Sequence, residues 1–292
     1  MTWLVLLNEA AGSRPMPAER VNAALTGAGI AYELRLPTTA EEMAREVVAG
    51  AEAGRPVAVV GGDGTINLAV DALMGRPWPQ PPKLAALPAG TGCDLLRTFA
   101  LPQKIEEAAS HLLGDTFYRI DVGVLEGEWG RRHFANVAQA GVGAAAAESA
   151  PRLPRRTGRA RYPLAFAARL PAFPRGEVRL KVGEREHRGP ALAVIIANGQ
   201  YFAGGWNVAP RASLNDGALD VQIVAASKWE APRLVPKMIK GLHLSDRTMR
   251  RMSGGHFELE CDSPWPVECD GEALGNTPVH GAVLPGAIDL KI

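Results

Sequence analysis

Apolar residues fall along the chain in two regimes, and the change between them predicts two domains. Up to about residue 124, short apolar runs alternate with segments of helical period. Trp3–Leu7 reads as a buried strand, 17–28 as a helix with Val21, Ala24 and Leu25 on one face, and 32–36 as a second strand. Residues 39–53 read as a helix opened by Thr39 with Glu42 three positions on, the pattern of a capping box. Strands at 57–60 and 84–87 each run straight into a glycine-rich turn and then a helix. Parallel strands need crossover connections, so this alternation predicts a parallel sheet covered by helices.

From about Tyr118 the helical period mostly vanishes. Short strands with turn signals replace it at 119–125, 133–138, 177–182, 191–197, Leu219–Val224 and His256–Cys261. Helical pieces interrupt them near 162–170 and 231–242. The spacing predicts a mainly antiparallel second domain, a sandwich or barrel. The expected division is 1–124 and 125–292, with room for the extreme C-terminus to pack back on the first domain.

Composition then removes several classes. Across 292 residues, 32 Lys and Arg balance 31 Asp and Glu to leave a net charge of +1, which disfavours a globally basic nucleic-acid binder and an acidic disordered chain. Cys93, Cys261 and Cys269 are too scattered for a disulfide framework or a zinc site, and read as reduced thiols. The first apolar run lacks a preceding basic region, so it reads as a strand and not a signal peptide. No stretch approaches the ~20 apolar residues of a spanning helix. The expected location is cytoplasmic, with attachment to a membrane only at its periphery.

Chemistry concentrates at the turns. After the strand at 57–60 come Gly61, Gly62, Asp63, Gly64 and Thr65, then Ile66 and Asn67. Bare backbone and a helix N-terminus brought to one point can hold a phosphate. A carboxylate there repels phosphate unless Mg²⁺ bridges them, which gives Asp63 a metal role. Asp270-Gly271-Glu272 reads as a sharp turn between strands with two carboxylates flanking the bend, or as a plain Asp-Gly hairpin.

Gly61 to Thr65 resembles the GGDGT signature of the diacylglycerol kinase catalytic family, which NAD kinases share. Asn8 to Gly12, Thr38, the segment Pro88 to Arg97, Asn198-Gly199 with Gly204-Gly205, the run Pro210 to Leu219, Gly241 to His243, and Asp270 to Glu272 match further motifs in order and favour the lipid kinases. The resemblance implies a Rossmann-like α/β N-terminal domain with a parallel sheet, a β-sandwich C-terminal domain, and ATP in the cleft between them. It implies an ATP- and Mg²⁺-dependent lipid kinase, with diacylglycerol the first choice of acceptor and phosphatidic acid the product. An NAD kinase-like enzyme and a non-catalytic lipid- or nucleotide-binding regulator are the alternatives.

By the same resemblance Glu272 is the general base, with Asp270 orienting it or aiding the metal. Asn8, Gly12, Thr38, Gly61, Gly62, Asp63, Gly64, Thr65, Asn67 and Thr91 face the nucleotide. A second Mg²⁺ falls on Ser213, Asp216 and the Ala218 carbonyl, all hard oxygen donors. Glu9, Cys93 and Leu68 depart from the family pattern, the last two removing polar groups beside the nucleotide.

Charge is concentrated in one segment. Arg152, Arg155, Arg156, Arg159, Arg161, Arg169 and Arg175 lie between residues 149 and 176 with no acidic residue among them, interleaved with Leu153, Tyr162, Leu164, Phe166, Leu170 and Phe173. That composition fits contact with an anionic membrane as well as a solvated loop over a core helix. No nucleic-acid partner is expected, and a homodimer is compatible with the sequence. His243 follows a glycine at a helix end and reads as structural.

Overall fold

The computed structural model describes residues 1–11, 15–89 and 93–292; Gly12 and Thr91 of the expected nucleotide site, and the side chains of Arg155 and Arg159, lie outside the described residues. The chain divides into two units, Met1–Val122 with Pro285–Ile292, and Gly123–Leu284.

The first unit follows the alternation of the sequence. Its elements are β1 (Trp3–Leu7), α1 (Ala18–Gly27), β2 (Tyr32–Arg35), α2 (Ala40–Glu52), β3 (Val57–Gly61), α3 (Asp63–Met74), β4 (Lys83–Pro88), α4 (Asp94–Thr98) and α5 (Ile105–Ala108). The strands pair in parallel in the order β2-β1-β3-β4. β1 and β3 are buried along their whole length, which is why they read as unbroken apolar runs. Trp3, Val5, Val21, Leu25, Val60 and Leu87 form part of the core beneath α1. On the α2 side Gly50 lets the helix approach closely, since a Cβ there would meet Leu4 and Val57. Thr39 caps α2 by accepting from the Glu42 amide at 3.1 Å. The return arm of the expected box is displaced by one residue, because the Glu42 carboxylate accepts from the amide and hydroxyl of Thr38 at 2.7 and 2.9 Å.

The second unit holds β6 (Gly130–Phe134), β7 (Val137–Gly141), α6 (Val142–Ser149), α7 (Arg161–Arg169), β8 (Gly176–Val182), β9 (Arg185–Ala191), β10 (Ala193–Ala197), β11 (Tyr201–Phe202), β12 (Trp206–Asn207), β13 (Leu219–Val224), α8 (Ala231–Ile239), β14 (Met249–Gly254), β15 (His256–Cys261), β16 (Pro266–Cys269) and β17 (Glu272–Asn276). The chain enters it within β5 (Phe117–Gly127) and leaves it within β18 (Val279–Lys291), whose last residues pair in parallel with β4.

One sheet of this unit runs β14-β13-β10-β7-β16-β17 and is antiparallel throughout. A second sheet places β15 between β8 and β18, with β9 outside β8. Side chains of both, among them Phe134, Val178, Ile196, Val221, Phe257 and Trp265, form one core, the sandwich that period-2 strands build when their apolar faces meet. α6 and α7 cover the other face of β7 and β16, and the small side chains Ala144 to Ala147 of α6 are all buried there. The helix expected over 231–242 stops at Ile239, because Gly241 adopts φ 71° and turns the chain away.

Candidate active site

In the first unit the two glycine-rich turns are neighbours because β3 and β4 pair in register, Gly61 opposite Pro88. The Ala89 amide donates to the Gly61 carbonyl at 2.8 Å, and the Asp94 amide at the start of α4 donates to Asp63 Oδ1 at 2.6 Å. Asn8, at the end of β1, donates from Nδ2 to Thr65 Oγ1 at 3.0 Å. Asn8, Gly61, Asp63 and Thr65 are thereby brought together, with Asn67 buried one turn further along α3. Thr38 is exposed and its hydroxyl is spent on Glu42.

The three glycines of this turn have different reasons to be glycine. A Cβ on Gly61 would collide with the Thr65 side chain, so Gly61 serves internal packing. Among the described residues a Cβ at Gly62 or Gly64 would meet nothing within 4 Å, and Gly62 has an ordinary φ of −101°. Packing among the described residues does not require glycine at these two positions. Bare backbone facing open space at the amide end of α3 is the arrangement that admits a phosphate. Cys93 is wholly buried, its thiol pushed up in pKa by that burial, and its amide donates to Gln103 Oε1 at 2.8 Å.

The Asp270-Gly271 pair forms a two-residue hairpin loop between β16 and β17, with Cys269 opposite Glu272 and φ values of 44° and 90°. Positive φ at both central residues is what a type I′ turn demands. Asp270 is also a buried anchor. Its Oδ2 accepts from the Ala135 amide at 2.9 Å, and its Oδ1 from the Asn136 and Val137 amides at 3.2 and 2.8 Å. Asn198 and Gly199 join the same knot by donating to the Asn136 carbonyl, both at 2.8 Å. These motif residues therefore stitch the ends of β6, β7, β10 and β16 together. Glu272, the next residue, begins β17 with its side chain exposed.

A third carboxyl, which the sequence reading did not single out, lies beneath the turn. Glu268 is fully buried and accepts from the Gly271 amide at 2.8 Å. Burial pushes its pKa up to about 8, so it is mostly protonated at neutral pH. Its cross-strand neighbour Gln139 donates to the Tyr162 hydroxyl at 3.2 Å.

Gln139 and Tyr162 open onto a narrow apolar cavity between the sheet, α7 and α8. Phe166, Phe202, Trp206, Leu234, Val235 and Met238 are among its walls. The signal for it was present as i, i+4 pairs, Tyr162 with Phe166 on α7 and Leu234 with Met238 on α8, but nothing local shows that the two helices flank one space.

At the expected second metal position, Ala218 donates its amide to Asp216 Oδ1 at 3.1 Å and Ser213 donates its hydroxyl to Asn215 at 2.9 Å. Several arginines of the 149–176 segment are engaged locally. Arg152 pairs with Glu148 at 3.1 Å, Arg169 donates to Ser149 at 2.5 Å, and Arg161 and Arg175 donate to backbone carbonyls. His243 is buried against Gln222 at 2.9 Å, a structural placement. Among the described residues no helix is long and apolar enough to cross a membrane.

Comparison with known proteins agrees with this architecture. Residues 2–125 match the diacylglycerol kinase catalytic domain, and residues 136–292 match the YegS C-terminal NAD kinase beta sandwich-like domain. A Chromohalobacter salexigens protein named as a probable lipid kinase YegS-like is 30% identical over 99% of this chain and 92% of its own. A Cronobacter sakazakii protein of the same name is 29% identical over 90% of this chain and 87% of its own. The fold matches a crystal structure of a diacylglycerol kinase from Bacillus anthracis with a TM-score of 0.74 at 19% identity, covering 99% of this chain and 96% of that one. The chain belongs to the YegS-like lipid kinases of the diacylglycerol kinase catalytic family.

Proposed function

We propose that the protein transfers the γ-phosphoryl group of ATP to a lipid hydroxyl, with diacylglycerol as acceptor and phosphatidic acid as product. The observation that carries the choice of a lipid over NAD is the narrow cavity bounded by α7 and α8, whose apolar lining suits an acyl chain and not a dinucleotide. In this reading the amide end of α3, with Gly62 and Gly64 leaving room, takes the phosphates. Asn8 holds Thr65 in place at the edge of that cradle. Glu272 accepts the proton of the lipid hydroxyl, and Asp270 fixes the turn from which Glu272 projects.

The donors at hand fit Mg²⁺ in kind, since Asp63, Asp216, Ser213 and the Ala218 carbonyl all offer hard oxygen. Asp63 would hold the ion that serves the phosphates; Ser213, Asp216 and Ala218 would hold a second. When bound, Mg²⁺ supplies charge neutralisation on the phosphate oxygens. Peripheral contact with an anionic membrane belongs to the same reading, because the acceptor resides there.

Incubation of the protein with γ-labelled ATP, Mg²⁺ and a panel of lipids and NAD tests the proposal. Label in phosphatidic acid is expected. Label in a phosphorylated NAD, or in no product despite measurable nucleotide binding, would overturn it in favour of the dinucleotide enzyme or the regulator.

A further inference from the structure

The helix that walls the cavity carries a second apolar face. α8 turns Leu234, Val235 and Met238 into the cavity. Its outward side carries Pro232, Pro236 and Ile239 at spacings of four and three residues, and Trp229 stands in the turn that leads into the helix. Trp229, just before the helix, is 86% exposed, Ile239 is 42% exposed, and Leu242 beyond the Gly241 turn is 62% exposed. A tryptophan so exposed, at the head of an apolar ridge, is an unusual surface for a water-facing helix.

The charges around the ridge are predominantly positive. Residues 231–245 contain Arg233, Lys237 and Lys240 and no acidic residue. Lys228 precedes Trp229 and Arg247 follows, so five cations, Lys228, Arg233, Lys237, Lys240 and Arg247, stand against two carboxylates, Glu230 and Asp246, which pair with Arg233, Lys237 and Arg247 and leave the patch net positive. Apolar side chains led by a tryptophan and flanked by lysines match the interfacial plane of a bilayer with anionic headgroups. α7, the other wall of the cavity, also turns Leu164 outward, 48% exposed.

We propose that the outward ridge of α8 is the surface by which this protein docks on an anionic bilayer, with Trp229, Ile239 and Leu242 entering the headgroup region and the net positive patch around them facing the lipid phosphates. This rests on the lipid kinase reading above and goes beyond the arginine-rich segment as its membrane contact. One helix then faces the membrane with one side and the cavity with the other, so a lipid leaving the bilayer meets apolar surface along its way.

The test compares the parent with Trp229→Ala/Ile239→Ser and with Trp229→Phe. Cosedimentation with vesicles of phosphatidylglycerol and phosphatidylcholine measures docking, vesicles of phosphatidylcholine alone measure the charge contribution, and sedimentation velocity without vesicles measures self-association. Phosphorylation of a dispersed short-chain diacylglycerol, with ATP, measures the chemistry apart from docking. The double variant should bind anionic vesicles about tenfold more weakly or worse. Trp229→Phe should stay within about threefold. All three proteins should phosphorylate the dispersed substrate equally. Each cation at the surface is worth about fivefold in partition, so neutral vesicles should bind even the parent poorly.

Unchanged vesicle binding by the double variant would overturn the docking surface while leaving the kinase reading intact. A dimeric parent that the same substitutions make monomeric, with vesicle binding unaltered, would assign the ridge to a second copy of the chain and equally overturn it. A parent that docks yet phosphorylates no lipid in either form would break the kinase reading and leave the surface standing.

Discussion

The two turns that carry the proposed chemistry are built by opposite means. The turn Gly61 to Thr65 is a local device: a buried parallel strand ends, a helix begins, and Gly62 and Gly64 face space that the described residues do not fill. The turn at Asp270 and Gly271 is a long-range device, in which a carboxylate reaches 133 to 135 residues back to three amides and a second carboxyl, Glu268, takes the Gly271 amide from below. In the first, glycine leaves room for the proposed phosphate. In the second, glycine is dictated by a φ of 90°. The same residue type thus marks a proposed binding surface in one unit and a backbone constraint in the other, and mutation should separate the two.

The largest effect expected is on chemistry without folding. Glu272→Gln keeps the exposed side chain's shape and removes its basic oxygen. Its kcat should fall by about 10²–10⁴ while nucleotide binding and Tm stay near the parent's. Asp63→Asn should behave alike, with kcat reduced far more than stability. Equal turnover by parent and Glu272→Gln would move the base elsewhere.

Asp270→Ala should do the reverse. Three backbone amides lose their acceptor in a buried knot, each costing about 1–3 kcal/mol, and a destabilisation on the order of 3–5 kcal/mol is expected in denaturant titrations. Asp270→Asn, which keeps one acceptor oxygen, should recover part of it. A fully stable Asp270→Ala protein would show that the knot holds without its carboxylate.

Glu268 adds a pH dependence to the second turn. Its folded pKa of about 8 lies above the ordinary carboxyl value, so the native state keeps a proton that the unfolded chain releases. The stabilisation is complete below about pH 4 and is lost as the pH rises towards the folded value, by up to about 1.4 kcal/mol per pH unit. Glu268→Gln cannot ionise and should lack that slope. Unfolding free energies of both proteins at pH 5.5 and pH 8 check it; parallel behaviour would mean that Glu268 ionises in place at no cost.

These contrasts also explain what the sequence made legible. Parallel alternation, the Thr39 cap and the Gly61 to Thr65 turn are local patterns, readable from neighbouring residues. The Asp-Gly hairpin was readable too, because a two-residue loop with positive φ announces itself. Glu268 was not, because burial on both faces of β16 depends on α6 packing over it, an arrangement no local period records. The cavity was equally hidden, its walls coming from segments as distant as Tyr162 and Met238. The outward ridge of α8 blurred into the helical pattern, since a helix with apolar residues on two faces reads simply as apolar.

The smallest expected effects sharpen the comparison most directly. Gly62→Ala meets open space at a φ of −101°, and Gly64→Ala meets open space in the first turn of α3. Neither should cost stability, and each should be neutral or gain up to about 1 kcal/mol through the unfolded state and helix propensity. Gly271→Ala also meets open space, but at a φ of 90°, so it should lose about 1–2 kcal/mol. Stability alone therefore splits three glycines that all face emptiness. Nucleotide affinity should split them the other way: a methyl group at position 62 or 64 stands where the proposed phosphate would approach, whereas one at 271 alters only the hairpin between β16 and β17. Calorimetric titration with an unhydrolysable ATP analogue beside thermal unfolding measures both quantities. If Gly62→Ala and Gly64→Ala bind nucleotide as the parent does, the open space at the amide end of α3 is not the phosphate site.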